Sequence, residues 1–66
     1  MKLTINGEAR QLPEQATVSV MAEVLELPVS QVAVERNRAI VPRSAWGDTA
    51  LAEGDVIEIV KFIGGG

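Results

Sequence analysis

The dipeptide Asn6-Gly7 constrains the fold of this chain more than any other short feature. It follows Leu3 and Ile5, which alternate with polar residues in the period-two pattern of a half-buried strand. Asn and Gly both tolerate the positive φ angles of a type I′ turn, which joins two antiparallel strands through two residues. The sequence therefore predicts a β-hairpin whose return strand covers residues 8–12 and ends at Pro13, because proline has no N–H for the ladder.

One segment has the spacing of an α-helix. Apolar residues recur there at helical intervals, at Val20, Met21, Val24, Leu25 and Leu27. Either Thr17 or Ser19 is suited to cap the amino end, and Pro28 is predicted to close the helix. Glu23 and Glu26 are interpreted as a solvated helix face rather than as an acid and base pair.

The rest of the chain predicts three more strands separated by turns. The strands are expected at 32–34, 39–41 and 56–61, with turns at 37–38, 42–47 and 51–55. In the last strand Val56 is out of phase with Ile57 and Ile59, so both faces are expected to be partly covered. With the last strand beside the first, this order predicts an α+β, ubiquitin-like β-grasp fold. It is a mixed sheet of four to five strands with one main helix packed across it, in a single domain over 1–66.

Composition argues against autonomous catalysis. A chain of 66 residues buries only about 60% of its unfolded surface, which leaves little room for a deep active site. The sequence contains neither cysteine nor histidine. A disulfide framework, a thiolate nucleophile, a zinc-thiolate site and a histidine base are therefore excluded. We expect a protein that is not an enzyme and that binds no cofactor of its own.

Charge and hydropathy exclude two classes of partner. The formal net charge is −3, and the six Lys and Arg residues are scattered along the chain. Nucleic acid is not expected as a partner, because phosphate binding needs clustered positive charge. No apolar run approaches the roughly 20 residues of a membrane span, and the opening residues are typical of a strand rather than of a signal peptide. The sequence predicts a cytoplasmic protein without a membrane partner.

The sequence closes with Gly64, Gly65 and Gly66, directly after the predicted last strand. Glycine has no Cβ and reaches backbone conformations closed to other residues, so such a tail is able to enter a narrow channel. It would then offer its carboxylate to another protein. A glycine run taken alone is also compatible with a frayed terminus. We expect a flexible tail over 62–66.

The body of the chain resembles the ThiS family, the sulfur carriers of bacterial thiamine biosynthesis. The specific part is the segment VAVERNRAIVPRSAW from Val32 to Trp46, followed by Leu51, by Gly54-Asp55 and Ile57, and by the final Gly65-Gly66. The resemblance spans nearly the whole chain, including its length and the opening strand with Asn6-Gly7. Arg38 stands where glycine is common in the family, which bears on the geometry of that turn.

The resemblance implies a cycle performed on the tail by other proteins. A ThiF-type adenylyltransferase uses ATP and magnesium to convert the Gly66 carboxylate into an acyl-adenylate. A cysteine desulfurase or another donor then supplies sulfur, which leaves a thiocarboxylate on Gly66. Thiazole synthase of the ThiG type receives that sulfur for the thiazole ring. Under this reading Gly66 is the site of covalent attachment, and Gly64 and Gly65 thread into the partners.

Several alternatives stay open at this level. A carrier for molybdopterin synthesis or another thiolation pathway would use the same chemistry. A ubiquitin-like modifier or a non-covalent β-grasp interaction module would share the fold. Phe62 and Ile63 either contact partners or complete the core, and Trp46 is expected to be a partly buried packing residue rather than a partner contact. Arg43 supports its turn, pairs with a nearby acid or contacts a partner.

Overall fold

A computed structural model of the chain describes residues 1–62 and contains one mixed sheet crossed by one α-helix. The strands are β1 (Lys2–Ile5), β2 (Glu8–Gln11), β3 (Val32–Arg36), β4 (Ala39–Val41) and β5 (Val56–Lys61), and the helix is α1 (Val18–Val24). Two 3-10 helices cover Val29–Gln31 and Arg43–Asp48. The sheet order is β2-β1-β5-β3-β4. The predicted β-grasp arrangement is confirmed, with five strands.

The last strand is the centre of this sheet. Strand β5 runs parallel to β1 and antiparallel to β3, whereas the β1/β2 and β3/β4 pairs are antiparallel hairpins. A parallel neighbour requires a crossover, and the chain between β1 and β5 supplies it. The strand that leads into the tail is therefore held on both sides by elements far away in sequence.

The predicted hairpin turn forms at Asn6-Gly7. The two residues have φ values of +50° and +80°, as a type I′ turn requires. The β1/β2 register pairs Ile5 with Glu8 and Lys2 with Gln11, so the return strand ends one residue earlier than predicted. Leu12 still pairs with Met1, because its N–H donates to Met1 C=O at 2.9 Å and its C=O accepts from the Met1 amino group at 2.8 Å, and its side chain is buried in the core.

Helix α1 begins where the sequence predicts and ends earlier. Of the two predicted caps Thr17 is the one used, because its side-chain oxygen accepts a hydrogen bond from Val20 N–H at 3.2 Å. The prediction that Pro28 closes the helix is wrong. Glu26 adopts a left-handed φ of +55°, and Leu27 N–H bonds to Ala22 C=O at 3.0 Å. This is a Schellman motif, which ends the helix before the proline is reached.

The core lies between α1 and one face of the sheet. Its most deeply buried large side chains are Leu3, Val18, Met21, Val34 and Ile57. Each aliphatic side chain of this kind contributes about 1.5–3 kcal/mol of burial free energy.

Trp46 is part of this core, as predicted. Its side chain is 5% exposed, and its indole N–H donates a hydrogen bond to Val41 C=O at 2.9 Å. The bond satisfies the polar atom that burial would otherwise leave without a partner. Trp46 therefore fixes the 3-10 helix after β4 to the end of that strand.

Two apolar residues are exposed although the sequence pattern predicted that they would be at least partly buried. Val24 is 52% exposed, because the short helix turns this position away from the sheet. Val56 is 46% exposed, so the outer face of β5 is not covered at that position by residues 1–62. Covering both faces would require a second layer, whereas the helix packs on one face only.

Candidate functional site at the end of the last strand

The predicted site residues follow directly after β5, and the structure describes one of them. Phe62 donates its backbone N–H to Gln31 C=O at 3.0 Å, which extends the β3/β5 ladder by one residue. Its side chain is 48% exposed, so Phe62 does not complete the core. Ile63, Gly64, Gly65 and Gly66 lie outside the described residues, and the roles expected of them remain predictions.

The start of strand β5 is held by backbone hydrogen bonds to β1. Thr4 N–H donates to Asp55 C=O at 3.0 Å, and Asn6 N–H donates to Ile57 C=O at 2.9 Å. In the parallel pairing, Thr4 lies opposite Val56 and Ile5 lies opposite Ile57. Beyond this point β1 turns away at Asn6-Gly7, whereas the pairing of β5 with β3 continues to Lys61.

A buried carboxylate fixes the first residues of β5. Asp55 is 6% exposed and accepts hydrogen bonds from Arg36 Nε at 2.8 Å, Asn37 Nδ2 at 3.0 Å and Ala52 N at 2.8 Å. Burial alone raises the pKa of Asp55, but the bonds from Arg36, Asn37 and Ala52 outweigh it, so the pKa lies below its ordinary value of 3.8. The turn before β5 is thus held by an ionised carboxylate with its acceptors in use.

The side chains of two turn asparagines grip β5, a role that the sequence analysis did not assign to them. Asn37 Oδ1 accepts a hydrogen bond from Val56 N–H at 2.9 Å. Asn6 Oδ1 accepts from Ile59 N–H at 2.7 Å, and Asn6 Nδ2 donates to Ile59 C=O at 3.3 Å. Both residues were identified as turn formers. No sequence signal identifies these contacts, because each joins residues far apart in the chain. Asparagine is suited to them because its amide both donates and accepts.

The outer face of β5 is partly apolar where the tail begins. Successive strand residues point to opposite faces, so Val56, Glu58, Val60 and Phe62 share the face away from the helix. Val60 is 53% exposed and Phe62 is 48% exposed. Exposed apolar side chains beside a strand end form a contact surface that a partner is able to cover.

Arg43 lines a groove between α1 and the second 3-10 helix. The groove has a volume of about 380 Å³ and is lined also by Glu23, Glu26 and Trp46. Within residues 1–62 no carboxylate lies within salt-bridge distance of Arg43. Pairing with a nearby acid, one of the three roles considered for Arg43, is therefore absent from the described part of the chain.

The described residues hold neither a metal-binding cluster nor a membrane-spanning helix. No cluster of three or more acidic side chains is arranged to hold a metal ion in the range 1–62. No helix in that range is long and apolar enough to cross a membrane.

Known proteins resemble this chain over its full length. The model of the ThiS family matches residues 3–66. The sulfur carrier protein ThiS of Bacillus subtilis is 34% identical over 65 residues, which covers 97% of this chain and 98% of that protein. The crystal structure of the thiamine biosynthesis protein ThiS from Geobacter metallireducens superimposes with a TM-score of 0.88 at 32% identity and covers both chains completely.

A second kind of relative is longer. The thiazole synthase of Paramagnetospirillum magneticum is 48% identical over all 66 residues, and the chain spans only 20% of that protein's length. The thiazole synthase of Magnetococcus marinus is 42% identical over the same share.

The family match therefore includes the β-grasp body, the base of the tail at Phe62 and the three glycines that follow. A solved ThiS structure has the same fold at a sequence identity above 30%. The chain belongs to the ThiS family.

Proposed function

We propose that this chain is a sulfur carrier, and that the α-carboxylate of Gly66 is the group that carries the sulfur. The observation that supports the proposal most directly is the family match, which extends through residue 66 and includes the final glycines. The proposal requires that Gly66 is the last residue of the mature protein. The chain is then a protein substrate of partner enzymes rather than an enzyme.

The proposed chemistry has an activation step and a transfer step. A ThiF-type adenylyltransferase joins the Gly66 carboxylate to the α-phosphate of Mg-ATP and releases pyrophosphate. A carboxylate anion is a poor electrophile, and AMP is a good leaving group. The outer sulfur of a persulfide, supplied by a cysteine desulfurase or another donor, then attacks the acyl carbon and forms the C–S bond, and AMP leaves with the electron pair of the broken C–O bond. A thiol reduces the S–S bond of the resulting acyl disulfide, becomes part of a disulfide itself, and releases the thiocarboxylate.

The proposed acceptor is a thiazole synthase of the ThiG type. Relatives 48% and 42% identical to this chain bear the name thiazole synthase, and the matched segment is only a fifth of their length. A family domain that belongs to the same polypeptide as the named activity supports a working contact between the two. Cytoplasmic location is part of the same proposal, because the adenylating step consumes ATP.

The geometry at the end of β5 is suited to this role. The start of the strand is fixed by the Asp55 network, which gives the tail a defined point of departure. Phe62 and Val60 add exposed apolar surface at that point. We propose that this surface contacts partners, that Ile63 contributes to the contact, and that Gly64 and Gly65 pass through the channel to the reacting atoms.

The decisive experiment is mass analysis of the intact chain after incubation with adenylyltransferase, Mg-ATP and a sulfur source. Replacing oxygen by sulfur changes the mass almost as much as oxidising Met1 or Met21, so a thiocarboxylate-selective alkylator must trap the product. We expect the alkylated group on the fragment that ends at Gly66. A mass shift confined to fragments that contain methionine would contradict the carrier function.

Substitution of the tail tests the threading role. We expect Gly65→Val to lower kcat/KM for adenylation on the order of 10- to 100-fold, because a β-branched side chain displaces the carboxylate in a narrow channel. Pyrophosphate release measures the rate. Ala39→Val is the control, since it introduces the same β-branched side chain at an exposed position of β4 outside the tail. Equal rates for Gly65→Val and the wild type would contradict threading.

A further inference from the structure

Strand β5 has an open edge immediately before the tail. In its pairing with β3, the residues that exchange backbone hydrogen bonds alternate with those that do not. Phe62 N–H bonds to Gln31 C=O, and Asn37 N–H bonds to Val56 C=O. The even-numbered residues of β5 therefore direct their backbone groups toward β3. The odd-numbered residues, including Lys61, direct theirs toward the β1 side.

On the β1 side, the hydrogen-bond partners of the β5 backbone end at Ile59, before Lys61 is reached. Ile57 C=O is bonded by Asn6 N–H, and both backbone groups of Ile59 are bonded by the side chain of Asn6. Asn6 thus replaces the next residue of a strand that has already turned away. Among residues 1–62 nothing pairs with the N–H or the C=O of Lys61. The position one strand spacing from Lys61 on the β1 side, about 4.8 Å away and called the slot below, is taken by none of the strands within residues 1–62.

The surroundings of the slot favour an extended peptide as its occupant. A free N–H and C=O pair on a strand edge is a template for another strand. The neighbouring side chains Val60 and Phe62 are half exposed and provide apolar contact on the outer face. Strands β2 and β4 also have free edges, but they lie at the two ends of the sheet, away from the tail.

We propose that a partner enzyme binds this chain by adding an extended segment of its own to the open edge of β5, beginning beside Lys61. This proposal rests on the proposed function and specifies how the tail is held. Main-chain pairing of this kind recognises a glycine tail that has no side chains to read.

A proline at position 61 is the sharpest test. Lys61→Pro removes the N–H that faces the slot and places the ring in it, while the ladder to β3 keeps its bonds because Lys61 is not one of the bonded residues. Lys61→Ala is the matched control, since it removes the same side chain and keeps the N–H. With a ThiF-type adenylyltransferase and Mg-ATP, we expect kcat/KM for Lys61→Pro to be about 5- to 10-fold below that for Lys61→Ala.

A second variant keeps the test decisive if the proline variant does not fold. It is a chemically synthesised chain in which residue 61 is N-methyl-lysine. It keeps the lysine side chain and loses only the N–H, and we expect the same loss of adenylation. Protection of the Phe62 amide from hydrogen exchange, which depends on Gln31, reports that β5 is intact in each protein.

The outcomes separate the two proposals. Strand addition would be overturned if Lys61→Pro were adenylated as fast as Lys61→Ala, and N-methyl-Lys61 as fast as the unmodified chain. If the wild type is adenylated normally in the same assay, the carrier function stands. A wild-type chain that is not adenylated would overturn both. A selective loss in both variants with Phe62 still protected would support strand addition.

Discussion

The two hairpin turns of this protein have the same conformation and grip the same strand at different places. Asn6-Gly7 joins β1 to β2, and Asn37-Arg38 joins β3 to β4, and all four residues have positive φ. The Asn37 side chain bonds to Val56 at the start of β5 and also to the buried carboxylate of Asp55. The Asn6 side chain bonds only to Ile59, in an exposed position.

The difference shows that β5 is anchored unequally along its length. Its first residues share a network with a buried carboxylate and an arginine, where low solvent access strengthens each bond. Its later residues depend on one exposed amide and on the ladder to β3. A strand that must be rigid at its base and accessible at its end is suited to presenting a tail.

Removing the buried carboxylate should have the largest effect. We expect Asp55→Ala to lower the free energy of unfolding by about 2–4 kcal/mol, because Arg36 Nε, Asn37 Nδ2 and Ala52 N lose their shared acceptor. Urea denaturation followed by circular dichroism measures the change. Asp48→Ala, at an exposed position of the second 3-10 helix, is the control. A loss no greater than in that control would show that the start of β5 is not anchored by Asp55.

The same residue makes a defined contribution to pH dependence. The pKa of Asp55 is lower in the folded than in the unfolded chain, so its contribution is complete above the ordinary value of 3.8. The contribution is lost as pH falls from that value through the folded pKa. The difference in stability between the wild type and Asp55→Asn should therefore shrink as the solution is acidified. A difference that grows with acidification would contradict the direction of the shift.

Substituting each turn asparagine by glycine compares how much the side-chain hydrogen bonds of Asn6 and Asn37 contribute to stability. Glycine preserves both turns, because it adopts positive φ freely, and the entropy cost is the same at both sites. We expect Asn37→Gly to lose about 2 kcal/mol and Asn6→Gly about 1 kcal/mol, since only Asn37 bonds to a buried carboxylate. Equal losses in urea denaturation would show that burial does not distinguish the turns.

The second residues of the turns give the smallest expected effect. Arg38 has a φ of +75°, in a region that costs a residue with a side chain about 1 kcal/mol relative to glycine. We therefore expect Arg38→Gly to stabilise the fold by about 1 kcal/mol. Gly7→Arg should destabilise it by about the same amount, as measured by thermal unfolding. Within residues 1–62, and apart from Gly7 and its two chain neighbours, no atom lies within 4 Å of a Cβ added at Gly7, so this cost is conformational rather than steric.

The double variant is the control for this pair. The two turns lie on different hairpins, so the two effects should add and return stability to within about 0.5 kcal/mol of the wild type. A loss of stability on Arg38→Gly would mean that the arginine side chain contributes a contact that outweighs its backbone conformation.

The sequence predicted those parts of the structure that depend on neighbours along the chain. The turn at Asn6-Gly7, the cap at Thr17 as one of two options, and the burial of Trp46 are confirmed. The end of the helix was missed because Glu26 occupies a left-handed position usually taken by glycine. Val24 is exposed for a different reason, because its position on the helix faces away from the sheet.

For the candidate site, the sequence predicted the chemistry of the tail but not the contacts that hold β5 before it. The glycine tail and its chemistry came from the sequence and its family resemblance, and the described residues include only the tail's first position, Phe62. The gripping role of Asn6 was not visible, because its partner Ile59 is 53 residues away. No local pattern encodes a contact over that separation.

By itself the sequence determined local backbone conformation and the chemistry available to the chain. Positive φ at the turns follows from residue type, and the absence of cysteine and histidine follows from composition. Only the tertiary structure decided that β1 stops beside Ile57 while β3 continues to Lys61. Whether a backbone group is paired depends on the register between strands distant in sequence, and that register is set by how the two strands pack in the folded core.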